Sequence, residues 1–303
     1  MTYKFRIKHN AIIAIAFIAI TAMSFVAPKT PAAGADTEIV KFAQISDDHF
    51  NPKSNRVTWR MVKYSGELLK DAIDQINNTP GMDFVVFTGD LTDSPSYDHH
   101  VEFAKIANML DVPWYWATGN HDLSQSGSMN RAKFLEVMNK HNSYIRPKST
   151  CYSFTKGGVV FYSMDGASDT MNTAKGTFSK TCLGFLDKGL TENSAKPAVI
   201  FQHFPLVYPI KSASHEVTNQ AEYLAILDNH PNVKAVISGH YHMDKIQTRN
   251  NVLHVSTPSL VEYPNAFRII TLTRTGGDLK IDVKTVETRL KDVQKMSLDT
   301  KGK

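Results

Sequence analysis

The stretch Phe84-Val85-Val86-Phe87-Thr88-Gly89-Asp90-Leu91-Thr92-Asp93 opens with four consecutive apolar residues, β-branched and aromatic, and runs straight into Gly-Asp. An unbroken run of this kind reads as a strand buried on both faces. Its tight turn leaves a carboxylate at the C-terminal tip, which is where open α/β sheets bind their ligands. Gly89 lets the backbone turn without a Cβ in the way, so Asp90 is free to offer two oxygens to a cationic group. Asp93 sets a second carboxylate near the same turn. Taken alone the pattern is weak, since a turn carboxylate looks the same.

Its weight comes from recurrence. Ile39 to Ile45 runs into Ser46-Asp47-Asp48-His49, placing Asp47 and His49 on the same side of extended chain. Pro113 to Ala117 runs into Gly119-Asn120-His121-Asp122, Ala198 to Phe201 into His203, and Val233 to Ile237 into Gly239-His240-Tyr241-His242. Polar groups bordering buried strands cost several kilocalories each if left unpaired. Oxygen and imidazole donors without a thiolate suit hard-to-borderline divalent ions such as Mn, Fe, Co or Zn, and the inventory exceeds what one ion uses.

Around these tips the chain alternates. Helical patterns over 58–77, 97–110 and 129–141 separate strands at 39–45, at Phe84 and at 113–117, which is the spacing of parallel βαβ units. From Cys151 the pattern becomes β-rich. Tyr152-Ser153-Phe154 and Val159 to Tyr162 flank a Lys156-Gly157-Gly158 turn. Strands at 197–202 and 233–238 bracket a helix over 220–229, and 245–286 reads as short strands with turns at Asn250-Asn251 and Gly276-Gly277. The fold expected is α/β, with two sheets packed face to face and helices outside. Trp114 and Trp116 read as packing residues, and Asp165 as a turn carboxylate; His99, His100, His215 and His254 are candidates for the rim of a site.

Composition bounds the rest. The 303 residues are 42% hydrophobic, enough for one sizeable catalytic domain. The formal charge of +5 is concentrated in residues 1–35, which hold Lys4, Arg6, Lys8 and Lys29 and no acid. Removing those four from 34 basic residues leaves 30 against 29 acidic ones, no nucleic-acid footprint. A basic start, an apolar run from Ala11 to Ala27 and a small-x-small site at Ala33-Gly34-Ala35 read residues 1–35 as a signal peptide, and the protein as secreted or periplasmic. Left uncleaved, the run would attach the chain to a membrane. In an oxidising compartment Cys151 and Cys182 would pair, closing a loop of about thirty residues and stabilising by roughly 3–4 kcal/mol. The domain proper is placed at 36–290, and the basic tail 291–303 reads as solvated and disordered.

In order, Asp47-x-His49, Gly89-Asp90-x-x-Asp93, Gly119-Asn120-His121-Asp122, His203 and Gly239-His240-x-His242 resemble the full signature of the calcineurin-like metallophosphoesterases, across about 39–273. The resemblance implies a four-layer α/β/β/α sandwich of two mixed sheets, with a dinuclear metal centre at strand C-terminal ends. It implies that Asp47, His49 and His242 hold one divalent ion, that Asn120, His203 and His240 hold the other, and that Asp90 bridges them. His121 would be the catalytic histidine and Asp93 the carboxylate that orients it. Two such ions lower the pKa of a shared water and clamp the attacking and leaving oxygens of a displacement at phosphorus.

Departures from the signature narrow the substrate. Ser94-Pro95 and Asp122 stand where protein serine/threonine phosphatases carry Arg-Gly and Glu, and Asp93 stands where purple acid phosphatases have a ligand Tyr. The chain looks more like the cyclic-nucleotide and glycerophosphodiester phosphodiesterases. Lacking an Arg clamp for a dianion, it is expected to take small phosphodiesters, unless Arg131 or Arg146 reaches the site and favours monoesters.

Overall fold

The computed structural model describes residues 2–7 (backbone alone), 37–276 and 278–301. Two mixed six-stranded sheets make up the centre. The first is ordered β1 (Thr2–Ile7), β12 (Asp278–Glu287), β11 (Ala266–Thr275), β2 (Thr37–Ile45), β3 (Phe84–Thr88) and β4 (Trp114–Ala117). The second runs β5 (Tyr152–Lys156), β6 (Val159–Met164), β7 (Ala198–Gln202), β8 (Val233–Ser238), β10 (Val252–Ser256) and β9 (Lys245–Arg249). β2, β3 and β4 pair in parallel, as do β6, β7 and β8.

Strand alternation builds the four layers. In β2 and β3, Phe42, Phe84 and Val86 face the second sheet, where they join Phe161, Phe201 and Ile237 in one apolar cluster. The Phe42 ring stacks on Phe84 at 4.8 Å and meets Phe201 edge-on at 5.5 Å. The intervening Ala43, Val85 and Phe87 face outward to helices α1 (Ser65–Asn77), α2 (Tyr97–Ala107) and α3 (Arg131–His141). Phe103 of α2 packs on Phe87 at 5.0 Å, and Phe134 of α3 on Trp116 at 5.1 Å. Trp114 and Trp116 are both buried, as their packing role requires. On the far side α4 (Lys180–Glu192) and α5 (Gln220–Asn229) cover the second sheet; Phe185 of α4 meets Tyr162 at 6.0 Å.

Several elements differ from the sequence expectation. α1 begins at Ser65 rather than near residue 58, because Thr58 to Arg60 turns aside and Arg60 pairs with Glu262 in an isolated antiparallel bridge. α4 has no counterpart in the sequence reading. Gly184 and Gly189 weaken its helical signal, but Leu183, Leu186 and Leu190 fall on one buried face and Ser179 caps Cys182 N–H at 3.1 Å. Cys182 in α4 is disulfide-bonded to Cys151, with Cα atoms 5.9 Å apart. At the other end, Thr2–Ile7 of the segment read as a signal peptide pairs antiparallel with β12, from Thr2 opposite Lys284 to Ile7 opposite Leu279, and so covers an otherwise open edge. The apolar run 11–27 and the cleavage site 33–35 lie outside the described residues.

The basic tail corrects the expectation of disorder. Lys291–Thr300 forms helix α6, with Val293 buried. Ser297 Oγ donates to Trp59 O at 2.9 Å and Thr300 Oγ1 to Thr58 O at 2.8 Å, while Tyr263 N–H donates to Ser297 Oγ at 2.8 Å and Gln294 Nε2 to Pro264 O at 2.7 Å. α6 therefore buttresses two segments at once, 58–60 and 262–264. Deleting residues 291–303 should lower unfolding stability by about 3 kcal/mol, taking about 1 kcal/mol for each hydrogen bond and discounting for relaxation. An unchanged denaturation midpoint would show that the helix is dispensable.

Candidate metal centre

The parallel strands of both sheets point their C-terminal ends to one place. The turns after β2 and β3 are zipped together: Asp47 N–H donates to Gly89 O at 3.1 Å, His49 N–H to Asp90 O at 3.0 Å and Asp93 N–H to Phe50 O at 3.2 Å. From the second sheet, Gly239 N–H donates to His203 O at 3.0 Å. The approach is close enough that a Cβ on Gly119 would collide with the Asp90 backbone nitrogen and Oδ1, and one on Gly239 with the Ser46 hydroxyl. Left-handed φ angles mark the same places: Asp47 at 54°, His49 at 41°, Asp90 at 52°, His240 at 71° and His242 at 53°. Non-glycine residues adopt this region at a cost of about 1–3 kcal/mol each, and such strain gathers where function sets the geometry.

Two groups of donors share Asp90. On one side His242 Nε2 lies 3.1 Å from Asp47 Oδ1 and 3.4 Å from His49 Nε2, with His49 Nε2 3.7 Å from Asp90 Oδ2. On the other, His203 Nε2 lies 3.4 Å from the same Asp90 Oδ2 and 3.2 Å from His240 Nδ1. Asp47, His49, Asp90 and His242 each turn one ligand atom to a common point. Asn120 Oδ1 is buried with no hydrogen-bond partner in the structure. An orphaned amide oxygen and imidazole nitrogens turned toward one another are poorly satisfied by protein alone. Divalent cations satisfy both groups, and the donor set fits two of them.

Charge follows the same plan. Burial pushes the Asp90 carboxyl up, but His203, His121 and His49 outweigh it and hold the group well below the ordinary carboxylate range. Burial likewise disfavours the His203 imidazolium, yet Asp90 and Asp47 raise it to about 9; His242, against Asp47 and Glu262, rises to about 10. The converging carboxylates thus favour positive charge where a cation would sit.

Partners beyond the donors fix their orientation. His203 Nδ1 donates to Thr88 O at 2.9 Å, leaving Nε2 for the centre. Ser46 Oγ donates to Asp47 Oδ2 at 2.6 Å, and His240 N–H to Oδ2 at 3.0 Å and Oδ1 at 3.2 Å. Asp122 joins two turns, accepting Gly119 N–H at 2.9 Å and Thr92 N–H at 3.2 Å. Glu262 Oε1 takes His242 Nδ1 at 2.6 Å and Arg60 Nε at 2.7 Å, and its carboxyl is held down at about 2: burial opposes this, but the hydrogen bond to His242 and its charge, then Arg60, prevail. Neither Glu262 nor Arg60 was found by sequence reasoning. Glu262→Gln keeps an acceptor for Nδ1 but loses the charge, so affinity for one of the two metals should fall about 10–100-fold while the other is little changed. Metal titration followed by calorimetry checks this; two equally weakened sites, or none, would contradict it.

His121 stands at the edge. Its N–H donates to Asp90 Oδ1 at 2.8 Å, and its ring lies 4.7 Å from that of His49. The orienting partner is a correction to the sequence reading: His121 Nδ1 donates to the backbone carbonyl of Asp93 at 2.8 Å, not to its carboxylate. The Asp93 side chain is instead paired with Arg56 Nη2, and lies 3.8 Å from His49 Nδ1. Arg131 is held by Asp165 at 2.6 Å and Asp169 at 2.8 Å, and Arg146 by the Asn142 and Ile145 carbonyls. All three guanidinium nitrogens of Arg131 are thus engaged, and Arg146 is engaged through Nη1. Arg56 and Arg60, from the loop after His49, are the arginines beside the centre.

Of the rim candidates, His215 alone lies against the donors, its ring 5.1 Å from that of His240. His100 is buried and donates to Ser96 O at 2.7 Å; His254 is buried in β10; His99 lines a groove with Lys53. Asp165 serves Arg131 and Thr150. Two cavities flank the donors and share no residue. One of about 520 Å³ is lined by Asn120, His121, Ser124, Gln125, Met171 and Asn172; the other, of about 240 Å³, by Trp59, Arg60, Ile210, His215, His242 and Glu262, among others.

Residues 40–244 match the family described as calcineurin-like phosphoesterase. A 3′,5′-cyclic-nucleotide phosphodiesterase of Nostoc sp. is 26% identical over 73% of this chain and 78% of its own. A 3′,5′-cyclic adenosine monophosphate phosphodiesterase of Haemophilus influenzae is 25% identical over 74% and 78%. Among solved structures, a dimetal phosphatase from Danio rerio superposes with a TM-score of 0.58 at 18% identity, over 83% of this chain and 99% of that one, a likeness of fold.

Proposed function

The chain belongs to the calcineurin-like phosphoesterases, a family of metal-dependent phosphoric ester hydrolases that use two divalent metals, and from this premise we propose that it is an exported phosphodiesterase acting on small diesters. The observation that carries the reading is Asp90 Oδ2, 3.4 Å from His203 Nε2 and 3.7 Å from His49 Nε2, a single oxygen between two groups of donors. In this reading Asp47, His49 and His242 would hold one cation and Asn120, His203 and His240 the other, with Asp90 shared between them. When bound, the pair supplies an activated water and a clamp for the phosphoryl oxygens.

The chain's own residues do the rest. His121, with Nδ1 fixed on the Asp93 carbonyl, keeps Nε2 to pass a proton to the leaving oxygen. The cavity beside His121 offers Ser124, Gln125 and Asn172 to the departing alcohol. Diesters are supported by the relatives' activities and by the occupation of Arg131 elsewhere. Export is supported by the basic and apolar start of the sequence and by the disulfide between Cys151 and Cys182; a processed chain would also lose β1.

A phosphomonoesterase reading is favoured by one feature, Arg56, whose guanidinium is paired with Asp93 and 43% exposed. The test compares kcat/KM for p-nitrophenyl ethyl phosphate and p-nitrophenyl phosphate at one pH and one metal. The diester should be preferred by about tenfold or more. A monoester preference that disappears in Arg56→Gln would replace the diesterase reading with a phosphatase.

A further inference from the structure

The smaller of the two cavities differs from the larger in carrying an arginine. Asn120 and His121 apart, the larger is walled by uncharged residues, among them Ser124, Gln125, Ser126 and Asn172. The smaller, about 240 Å³, sets Arg60 and Glu262 among Trp59, Ile210, Ser212 and His215. Arg60 is fixed on both ends: its backbone pairs with Glu262 and its Nε donates to Glu262 Oε1 at 2.7 Å. That bond uses one face of the guanidinium. The side chain is 28% exposed, and among the described residues no hydrogen bond is made by its two terminal nitrogens. Glu262 Oε1 is shared between Arg60 Nε and His242 Nδ1, so two donors oppose the one carboxylate.

Two large apolar side chains stand open beside Arg60. Trp59 and Ile210 are 49% and 53% exposed, although both are large hydrophobic residues. His215 adds a ring whose Nδ1 is taken by the Ser212 and Ser214 hydroxyls at 3.0 and 2.8 Å, which leaves Nε2 to the cavity side. A mixed cavity that sets two exposed apolar side chains beside a preorganised guanidinium matches a short carbon chain that carries a carboxylate.

We propose that this cavity is a subsite for the retained ester arm of the substrate, and that it selects an arm carrying a carboxylate. The proposal rests on the phosphodiesterase reading for the word "arm". A diester phosphorus seated at the metal donors would send its leaving alcohol to the neutral cavity beside His121 and its retained group to the cavity of Arg60.

The experiment has a turnover limb and a binding limb. Three p-nitrophenyl phosphodiesters share one leaving group and differ in the retained alcohol: 3-hydroxypropanoate (anionic), propanol (neutral) and choline (cationic). Metal-loaded enzyme should prefer them in that order, the anionic over the neutral by about tenfold in kcat/KM and mainly through KM, the low end of a hydrogen bond to a charged group. Equilibrium binding of 2-carboxyethylphosphonate should exceed that of n-propylphosphonate by a similar factor, with no turnover required. Both ratios should collapse to about one in Arg60→Gln and remain partial in Arg60→Lys. Because each ratio is taken within one variant, a change in basal activity cancels, and elemental analysis checks that every variant compared carries both metals. Equal binding of the two phosphonates by the wild-type protein, or a preference that survives Arg60→Gln, overturns the subsite. If the phosphonate preference holds and none of the diesters is cleaved, the subsite stands and the phosphodiesterase reading falls.

Discussion

Replacing Asp90 with Asn should abolish turnover, by about 10³-fold or more, and loosen both metals together. The carboxylate faces both sets of donors through one oxygen, Oδ2, at 3.4 Å from His203 and 3.7 Å from His49. An amide turned so that its oxygen still accepts His121 N–H must aim an NH2 group at two imidazoles, and a neutral oxygen turned the other way cannot serve two cations as an anion does. The loss should be no smaller than that of one transition-state donor, which is worth 10²–10³ alone. Without metal the variant has a second signature. His203 is held at about 9, burial opposing and Asp90 the leading charge that raises it, so removing that charge must move its titration downward. Elemental analysis and an NMR titration of His203 read both effects; two tightly bound ions with near-normal turnover would refute the bridging role.

What the sequence made legible was the set of donors, and physics explains why. Asp47, Asp90, Asn120, His203 and His240 each follow at once on a run of buried strand residues, so register alone delivers them to one edge. The groups that position them are set by loop geometry and long-range pairing, which leave no periodic trace. Glu262 meets Arg60 across 202 residues through a lone bridge, and it reaches His242 from a turn that no strand pattern predicts. The orienting atom for His121 is a backbone carbonyl, which any residue at position 93 would supply, so the identity of Asp93 was bound to mislead. Left-handed angles at Asp47, His49 and Asp90 are equally silent, since nothing in an Asp or His announces positive φ. α6 was missed for a different reason: Lys291 to Thr300 is polar almost throughout, and only Val293, Met296 and Ser297, at helical spacing, hint at the face it turns to the domain.

His121→Ala should lower kcat by about 10²–10⁴ on alkyl diesters and by far less on p-nitrophenyl diesters, while both metals stay bound. The substitution leaves the backbone N–H that supports Asp90 Oδ1 at 2.8 Å, so the donor groups keep their geometry. What goes is a ring whose Nδ1 proton is fixed on the Asp93 carbonyl, so that a proton given up at Nε2 leaves the neutral tautomer already in place. An alkoxide leaves poorly without that proton; p-nitrophenolate needs little help. The dependence of rate on leaving-group pKa should therefore steepen in the variant. Asp93→Asn separates the two accounts of how the ring is held. If the carboxylate oriented His121, the variant would resemble His121→Ala; with the carbonyl as partner it should lose less than about tenfold, through Arg56 and His49. Equal losses for alkyl and aryl leaving groups in His121→Ala would show that the residue binds the substrate and does not protonate it.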